Sequence, residues 1–513
     1  MGTQGSNKTI AKNTIFLYFR MMVTMIISLY TSRVILKVLG VDDFGIYQAV
    51  GGIVGFMSFI NNALSTGSSR FITFGLGENN SEKLKKIFAT TFTCHVVLAV
   101  LIILVAETVG LWFLHHKMVI SPDRMLAAEW VYQLSILTSF FTLTQVPFNA
   151  CIIAHERMTV FAYISIVEAI LKLVVVYVLT IGDIDKLVLY ASLLCLLQVG
   201  IIIFYIYYCV RNFSEARMRL QIEKGVFSEI LGFSGWSLFA NGSIALNSQG
   251  ILILLNMFFP PAVVAARAIS LQVSMAANQF VNNFQTAATP QIVKLYAAKD
   301  YEGSKQLLLQ TTKFSYYLML LLSLPICMTA GHLLQLWLGV VPDYAVIFLQ
   351  LIIIQSLFHV FDISFYRALY AKGQIKENAL ISPTIGFIQF PVVYILFKAG
   401  CSPVALSLAA LISNMLLGLI IKPILIIRIV NYTWHDIASV FIPCAKVSIA
   451  SLPIPIIVNY FVLKQNLPML AEFGLMVTIC LGTVCVSAWY LGLNAELRAR
   501  LLKTIMLKLK GNV

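Results

Sequence analysis

The sequence predicts an all-α, polytopic membrane protein with about 14 transmembrane helices, arranged as two parallel six-helix lobes followed by two C-terminal helices. Three observations predict this class. Hydrophobic residues make up 59% of the 513 residues and charged residues only 11%, whereas a soluble domain is about 25% charged. Apolar runs recur at the length of about 20 residues that crosses a bilayer. The two halves of the chain also resemble each other.

The apolar runs predict the individual helices. A run of about 20 residues crosses about 30 Å of hydrocarbon, so each such run predicts one transmembrane span. In chain order the predicted spans are residues 14–36, 44–69, 87–113, 129–153, 159–181, 187–210, 230–258, 262–289, 307–335, 345–370, 379–398, 403–427, 438–463 and 469–492. No predicted loop exceeds about 20 residues, which leaves no room for a soluble domain of 50 residues or more.

These spans divide the chain into four parts. We expect a first lobe of helices 1–6 at residues 1–210 and a cytoplasmic linker at 211–229. A second lobe of helices 7–12 follows at residues 230–430. Residues 431–513 are expected to form helices 13 and 14 and a basic cytoplasmic tail.

Basic residues are distributed unevenly across the predicted membrane. With the N-terminus inside, about 25 Lys and Arg residues fall in cytoplasmic loops and tails and about 7 on the other side, as the positive-inside rule describes. This asymmetry predicts that both termini are cytoplasmic. It also accounts for most of the net charge of +14 without a nucleic-acid partner. The basic tail at 498–510 is expected to lie on anionic membrane lipids.

Cysteine and histidine spacing indicates no metal site. The nine cysteines are scattered singly along the sequence and include no CxxC pair. The one adjacent histidine pair, His115 and His116, lies on a short predicted loop, where we expect a solvated turn. The spacing supports neither a disulfide nor a zinc site. The sequence therefore predicts no metal and no cofactor.

The chain contains an internal repeat. Residues 154–179 match residues 371–396 at a shift of 217, and residues 65–91 run parallel to residues 285–311 at a shift of 220. The shift spans six predicted helices, an even number, so both halves have the same orientation in the membrane. Parallel repeats of this kind occur in transporters that bind substrate near the bilayer centre between the two halves.

Matched spans of the two halves carry polar faces. Span 8 has polar residues at helical spacing, which places them on one face: Arg267, Ser274, Asn278, Asn282, Gln285 and Thr289. Span 2, its counterpart, also carries several polar residues: Asn61, Asn62, Ser65, Ser68 and Ser69, followed by Arg70. A polar face in a membrane helix must contact protein or water. Hydrogen-bonded helix packing and a water-filled cavity are both open interpretations.

Charged residues within the spans are candidate site residues. The candidates chosen from them are Arg20, Arg33, Lys172, Arg267, Lys446, Glu107, Glu168 and Asp362. Arg20 and Arg267 lie roughly two turns inside the predicted membrane, by the helix rise of 1.5 Å per residue. Each of the two can extend towards the membrane surface or hold a phosphate anion with two parallel hydrogen bonds.

Two charges stand in the middle of the apolar stretch "FAYISIVEAILKLVVVYVLT" at 161–180. A single charge at the bilayer centre costs about 2.5–3.5 kcal/mol. Glu168 and Lys172 are four residues apart and therefore share a helix face, where they can neutralise each other. The repeat places Ile385 and Gln389 at the matching positions, so the fold does not require the pair. The pair is either a structural ion pair, or Lys172 contacts substrate while Glu168 tunes it or takes a coupling proton.

The sequence resembles the multidrug/oligosaccharidyl-lipid/polysaccharide (MOP) exporter superfamily, and within it the bacterial O-antigen and polysaccharide flippases. The resemblance covers nearly the whole chain and is most specific in residues 29–64, 145–173 and 265–297. It implies a V-shaped, MATE-like bundle around a central cavity in the bacterial inner membrane. It also implies that the protein is not an enzyme, because flipping neither makes nor breaks a bond.

The implied activity is the translocation of an undecaprenyl-pyrophosphate-linked oligosaccharide, an O-antigen or capsular repeat unit, from the cytoplasmic to the periplasmic leaflet by alternating access. Such a protein serves lipopolysaccharide or other polysaccharide biosynthesis. Its expected partners are this polyprenyl-pyrophosphate-linked oligosaccharide, membrane lipids and other glycan-assembly membrane proteins. No nucleic-acid partner is expected.

The resemblance also implies basic cavity residues in helices 1, 2 and 8, where Arg20, Arg70 and Arg267 occupy comparable places. The complete set predicted to bind substrate is Arg20, Arg33, Arg70, Lys172, Arg267, Asn278, Asn282 and Gln285. Glu168 is the candidate residue for ion coupling.

Two other classes of protein remain open. An exporter of a drug-like cation or of a lipid II-like precursor would share this architecture, although a cation exporter should have net acidic spans and these are net basic. A membrane-bound glycan polymerase or ligase tends to carry a long periplasmic loop. The longest predicted outer loop, near residues 115–125, is too short for that class.

Overall fold

The predicted all-α class is confirmed by a computed structural model of the protein. The structure describes residues 3–77, 80–155, 157–179, 181, 185–228, 239, 242–374, 376–462, 468–493 and 498. Throughout these ranges the regular structure is helical, with no β-strand. The described residues group into two compact units: unit 1 (Met1–Ala268, Leu338–Asp343 and Gly386–Pro403) and unit 2 (Ile269–Trp337, Tyr344–Ile385 and Val404–Val513).

Within the part of the chain that the structure describes, seventeen α-helices are labelled in chain order. The first eight are α1 (Thr3–Gly77), α2 (Ser81–Val105), α3 (Leu111–Lys117), α4 (Met125–Ala154), α5 (Met158–Val178), α6 (Lys186–Asn212), α7 (Ile251–Phe258) and α8 (Pro261–Ala297). The others are α9 (Tyr301–Met328), α10 (Ala330–Leu338), α11 (Ala345–Lys372), α12 (Lys376–Lys398), α13 (Val404–Met415), α14 (Lys422–Val430), α15 (Trp434–Ser451), α16 (Pro453–Val462) and α17 (Met469–Ser487).

Eleven helical stretches in the described ranges are long and apolar enough to cross a membrane. Ten of them overlap one predicted span each, and the eleventh, Met21–Gly55, overlaps both 14–36 and 44–69 and contains the break at Gly40. These stretches make this a multi-pass membrane protein. The predicted span 262–289 lies in α8. Span 230–258 falls partly outside the described residues. The total of 14 therefore stays a prediction.

Gly40 interrupts the long helix α1. Its backbone has φ 81° and ψ 174°, which is not helical, and positive φ is a conformation that glycine adopts without steric cost. The interruption falls between the predicted spans 14–36 and 44–69. The helix N-terminal to Gly40 and the helix C-terminal to it are therefore separate elements, as the apolar pattern predicts.

A five-residue π-helical turn, Ala106–Gly110, joins α2 to α3. Such a turn inserts one residue into a helix and frees backbone groups for other partners. Here the fully buried Tyr132 of α4 donates its hydroxyl to the Ala106 carbonyl at 2.7 Å. A Cβ atom at Gly110 would collide with the same hydroxyl. The π-helical turn therefore packs against the Tyr132 hydroxyl at two places, the Ala106 carbonyl and Gly110.

The core of unit 1 lies where α2, α4 and α6 meet. Phe148 of α4 is fully buried and packs edge-to-face against Phe88 and Phe92 of α2, with ring centroids 5.4 and 5.8 Å apart. The non-helical segment 213–223 after α6 is held on α2: the Gln221 and Glu223 amides donate to the hydroxyls of Thr93 (3.0 Å) and Thr90 (3.1 Å). This part of the predicted linker therefore belongs to unit 1.

Unit 2 has an aromatic core on α9, α11 and α15. The rings of Tyr316 and Phe361 stack at 5.1 Å, and Phe441 meets Phe361 edge-to-face at 4.9 Å. The Tyr316 hydroxyl is 2.8 Å from Ser448 Oγ. A buried tyrosine usually finds such a hydrogen-bond partner. The interaction ties α9 to α15 with both apolar contact and a polar bond.

Candidate functional site

The Glu168–Lys172 pair forms as the helical spacing predicts. Both residues lie on α5, and Lys172 Nζ donates to Glu168 Oε1 at 2.6 Å. Neither side chain is enclosed: 47% of the Lys172 side chain and 28% of the Glu168 side chain are exposed. An ammonium group has three N–H donors. One reaches Glu168, so the others can serve a ligand.

Both charges line a cavity of about 390 Å³ inside unit 1. Its walls come from α1, α4, α5 and α6. The polar lining, apart from the two charges, consists of Tyr47, Ser135, Thr138, Ser139, Thr142 and Gln198. The remaining lining is small or apolar: Gly51, Val54, Gly55, Leu134, Ala191, Leu194 and Leu197. The cavity thus combines one ion pair with hydroxyl and amide groups and an apolar wall.

The hydroxyl groups form a row along one face of α4. The residues Ser135, Thr138, Ser139 and Thr142 are spaced so that they share that face. The hydroxyls of Thr138 and Thr142 donate to carbonyls one turn back on the same helix, at 2.7 and 2.9 Å. A hydroxyl that donates internally still has lone pairs that accept. The row therefore presents acceptors towards the cavity.

The same polar face continues one turn further along α4. Gln145 Oε1 accepts from Gln198 Nε2 of α6 at 2.7 Å. These α4 residues are not among the site residues predicted from the sequence. Their signal was present in "SILTSFFTLTQ" at 135–145, where polar residues recur at helical spacing within an otherwise apolar run.

Gly51 of α1 leaves part of this cavity open. A Cβ atom built on Gly51 would have no heavy atom within 4 Å, whereas one on the neighbouring Gly55 would touch the Gln249 side chain at 3.5 Å. The two glycines therefore differ in role: Gly55 allows close packing, while Gly51 contributes empty space to the cavity.

The remaining predicted basic residues are distributed as follows. Arg33 is exposed on α1 and is not among the described residues that line the cavity. Arg267 of α8 is buried, with 2% of its surface exposed. Arg20 and Arg70 lie within α1, but their side chains lie outside the described part of the structure. The described residues thus bring Glu168 and Lys172 together, and their roles stay predictions.

In unit 2, the polar line on α8 contacts α11. Asn278 Nδ2 donates to Ser356 Oγ at 2.9 Å, and Gln285 Nε2 donates to Ser364 Oγ at 2.7 Å. Asn282 is half-buried on the same helix. These bonds are of the kind that the helix-packing interpretation describes.

Arg367 of α11 extends this interface. Its guanidinium donates to Gln285 Oε1 at 3.3 Å and to the hydroxyl of Thr289. Arg367 is not among the residues predicted from the sequence, because it lies near the end of an apolar span, where a basic residue usually extends towards the membrane surface.

A second ion pair lies deep in unit 2. The fully buried Lys422 of α14 places Nζ 2.6 Å from Asp362 Oδ1 of α11 and also donates to Asn378 Oδ1 of α12. His359 Nδ1 lies 3.6 Å from the other carboxylate oxygen. The sequence predicts only Asp362 as a candidate, since its partner Lys422 lies 60 residues further along the chain.

Comparison with known proteins indicates a class of fold. No protein-family model matches the sequence. The structure is similar to the lipid II flippase MurJ in an inward-closed conformation, with a TM-score of 0.69, 10% identity, and coverage of 93% of this chain and 98% of that one. It is also similar to an inward-facing multidrug resistance MATE family transporter of the MOP superfamily, with a TM-score of 0.68, 14% identity, and coverage of 82% and 98%. The chain therefore has the fold of these membrane transporters.

A curated relative covers almost the entire chain. The uncharacterized membrane protein EpsK of Bacillus subtilis (strain 168) is 23% identical over 507 residues, which is 96% of this chain and 97% of that protein. The helical, MATE-like fold implied by the sequence resemblance is confirmed by the similarity to the two solved structures. The polysaccharide-flippase branch of the superfamily stays a prediction.

Proposed function

We propose that this protein flips an undecaprenyl-pyrophosphate-linked oligosaccharide, such as an O-antigen or capsular repeat unit, from the cytoplasmic to the periplasmic leaflet of the bacterial inner membrane. The observation that carries the proposal is the unit 1 cavity, which Lys172 and a row of hydroxyl-bearing residues line together. A pyrophosphate needs a countercharge to leave water. Sugar hydroxyls need hydrogen-bond partners, and an apolar wall tolerates the first part of a lipid tail.

The fold supports transport rather than chemistry. Among proteins of similar structure, one is named a flippase and another a multidrug transporter. The cavity residues suit binding, because an ion pair and aliphatic hydroxyls hold a substrate without a nucleophile–base arrangement. In this proposal the substrate anion takes the ammonium donors that Glu168 leaves unused.

The test removes the ion pair and measures surface glycan. In a strain that lacks its own exporter, the double variant Glu168→Gln with Lys172→Met is expected to reach the membrane at the normal level and to lose glycan export. The matched control is Glu82→Gln with Lys85→Met, which removes an exposed i,i+3 ion pair of 2.7 Å on α2. Wild-type glycan from the Glu168/Lys172 double variant would show that the charges merely balance each other.

A lipid II-like precursor is the second candidate substrate. The specific observation in its favour is that similarity to the lipid II flippase MurJ extends over 93% of this chain. Expression of the protein in cells depleted of their lipid II flippase tests this alternative. Restored growth supports lipid II export, whereas restored surface glycan without restored growth supports the oligosaccharide.

A further inference from the structure

Cys151, His155 and Glu215 form a cluster of metal-binding side chains that lies apart from the unit 1 cavity. Cys151 is in the last turn of α4, His155 directly follows that helix, and Glu215 is in the segment after α6. One ligand atom of each residue lies within 4.8 Å of the other two. The sequence separates His155 from Glu215 by 60 residues, so spacing alone could not indicate this cluster.

The distances within the cluster are close to those of a metal site. Cys151 Sγ is 3.5 Å from Glu215 Oε1, and His155 Nε2 is 2.6 Å from the same oxygen. Zinc bonds of about 2.0–2.3 Å in a tetrahedron place ligand atoms roughly 3.3–3.8 Å apart. The sulfur–oxygen separation already fits. The nitrogen–oxygen separation is that of a hydrogen bond and has to widen by roughly 0.7 Å to admit a metal.

A second cysteine lies beside the cluster. Cys209 of α6 is buried and donates through Sγ to the Phe148 carbonyl at 3.5 Å, one turn before Cys151. Cys209 is not in the group of ligand atoms that lie within 4.8 Å of one another. The ligand set is therefore one thiolate, one imidazole and one carboxylate, and a water can complete a tetrahedral zinc site. Sulfur ligands also exclude magnesium and calcium, which take oxygen ligands.

Neighbouring residues hold the side chains of His155 and Glu215 in place, as outer residues do around metal sites. The ring of His155 stacks on Phe213 with centroids 4.0 Å apart and planes 10° apart, which fixes the imidazole plane. Ser214 Oγ donates to the second oxygen of Glu215 at 3.5 Å. Glu215 is buried, whereas 25% of the His155 side chain is exposed. Such outer partners hold ligands in place, and the exposed histidine edge offers an entry path.

We propose that Cys151, His155 and Glu215 bind Zn²⁺, with a water as fourth ligand, and fasten the segment after α6 to the end of α4. Binding replaces the thiol proton of Cys151 and the His155–Glu215 hydrogen bond with metal–ligand bonds, and the released protons pass to solvent. The topology prediction places this end of α4 in the cytoplasm, where thiols stay reduced and available to a metal.

The experiment uses the full-length protein in detergent, stripped of metal with a chelator. Titration with Zn²⁺ is expected to give roughly one tightly bound ion per chain. Titration with Co²⁺ is expected to give the near-ultraviolet band of a thiolate–cobalt bond. Cys151→Ser should lose that band, while Cys195→Ser, which changes another buried cysteine of α6, should keep it. Trypsin reports on the segment itself: Zn²⁺ should slow cleavage after the exposed Arg217 in the wild type.

Two further variants make the outcome decisive if Cys151→Ser fails to fold. His155→Gln changes a partly exposed side chain and should weaken cobalt binding, and Ser214→Ala should weaken it about 10-fold or more through the second oxygen of Glu215. A wild-type protein that binds no Zn²⁺ after stripping overturns the proposal. So does a thiolate–cobalt band that survives in both Cys151→Ser and His155→Gln, since the metal would then be bound elsewhere.

Discussion

Arg124 binds Asp43 with two parallel hydrogen bonds: Nε donates to Oδ1 at 2.9 Å and Nη2 to Oδ2 at 2.6 Å. The same guanidinium reaches Asp185, with Nη1 donating to Oδ2 at 2.5 Å. Asp185 also caps α6, because its Oδ1 accepts from the Leu187 amide at 3.0 Å. One arginine thus connects α1, just after the Gly40 break, to the starts of α4 and α6.

We call the contact of Arg124 with Asp43 and Asp185 the Arg124 clamp. This clamp predicts a measurable energetic coupling between Arg124 and Asp43. All three charged side chains are partly exposed, which limits each pair to roughly 1 kcal/mol. A double-mutant cycle of Arg124→Ala and Asp43→Ala, measured by thermal unfolding in detergent, should therefore give a coupling of about 1 kcal/mol. If the two substitutions changed the stability strictly additively, the result would contradict a direct interaction through two hydrogen bonds.

The clamp also predicts a dependence on pH. The hydrogen bond from Arg124 lowers the pKa of Asp185 from its ordinary value. A carboxyl group with a lowered pKa in the folded state contributes its full stability above the ordinary value of about 3.9, and the contribution disappears as the pH falls through the folded-state value. Acid should therefore destabilise the wild type more than Asp185→Asn. Parallel acid-unfolding curves would count against this.

The empty space at Gly51 predicts a selective block of transport. Gly51→Leu should place a side chain in the unit 1 cavity without a clash, because no atom lies within 4 Å of the new Cβ. Replacing a helical glycine also stabilises the helix by roughly 0.5–1 kcal/mol. We expect normal membrane levels and loss of glycan export. Gly200→Leu is the matched control, since Gly200 has equal space on α6 and does not line the cavity. Equal glycan export by Gly51→Leu and Gly200→Leu would show that transport does not depend on this cavity.

Exchanging the two charges of α5 tests the position of the ammonium. In the variant Glu168→Lys with Lys172→Glu the ion pair survives, but the positive charge moves by one helical turn, about 5.4 Å. The proposed function predicts a well-expressed protein that exports little glycan, because the ammonium no longer stands where the substrate anion binds. Surface glycan, normalised to protein in the membrane, is the measurement. Normal export would favour a purely structural ion pair.

The buried Lys422–Asp362 pair of unit 2 should affect stability, in contrast to the Glu168–Lys172 pair, which should affect export. Lys422→Met leaves the Asp362 carboxylate buried without its 2.6 Å partner, and breaking such a pair costs roughly 3–5 kcal/mol. Adding Asp362→Asn should recover much of the lost thermal stability, since no uncompensated charge remains. Lys446→Met, at an exposed lysine of α15, is the control and should cost within about 0.5 kcal/mol. A double variant no more stable than Lys422→Met would refute the pairing.

The direction of transport depends on the predicted topology. Cysteines introduced at two exposed positions, Arg217 and Asp123, should differ in their reaction with a thiol reagent that does not cross membranes. In intact cells Asp123→Cys should react and Arg217→Cys should not, because the positive-inside rule places residue 217 in the cytoplasm. The opposite pattern would reverse the proposed direction of export.

Local patterns in the sequence predict the helices well. The span predicted at 159–181 is the helix Met158–Val178, and the ion pair within it follows from a four-residue spacing. Such features depend on residues close together in the chain. The Gly40 break likewise falls between two predicted spans, because the apolar pattern stops there.

Contacts between distant segments could not be predicted in this way. Lys422 and Asp362 meet only because α11 and α14 pack together, and Glu215 reaches His155 only because the segment after α6 folds back onto α4. The hydroxyl row of α4 is a different case. Its helical spacing was visible in the sequence, but serine and threonine in an apolar helix usually bond to their own backbone, so they carried less weight than charges.

The fit between Gly110 and Tyr132 has a consequence for how this sequence can diverge. Any side chain at position 110 would occupy the place of the tyrosine hydroxyl, so a lineage that replaces the glycine must also lose the hydroxyl. Phenylalanine at position 132 meets that condition, at the cost of leaving the Ala106 carbonyl with only its backbone bond from the Leu111 amide. We therefore expect the two positions to change together among descendants of this gene. Covariation of positions 110 and 132 would then identify relatives that keep the π-helical turn, even where their overall sequence identity is too low to show the relationship.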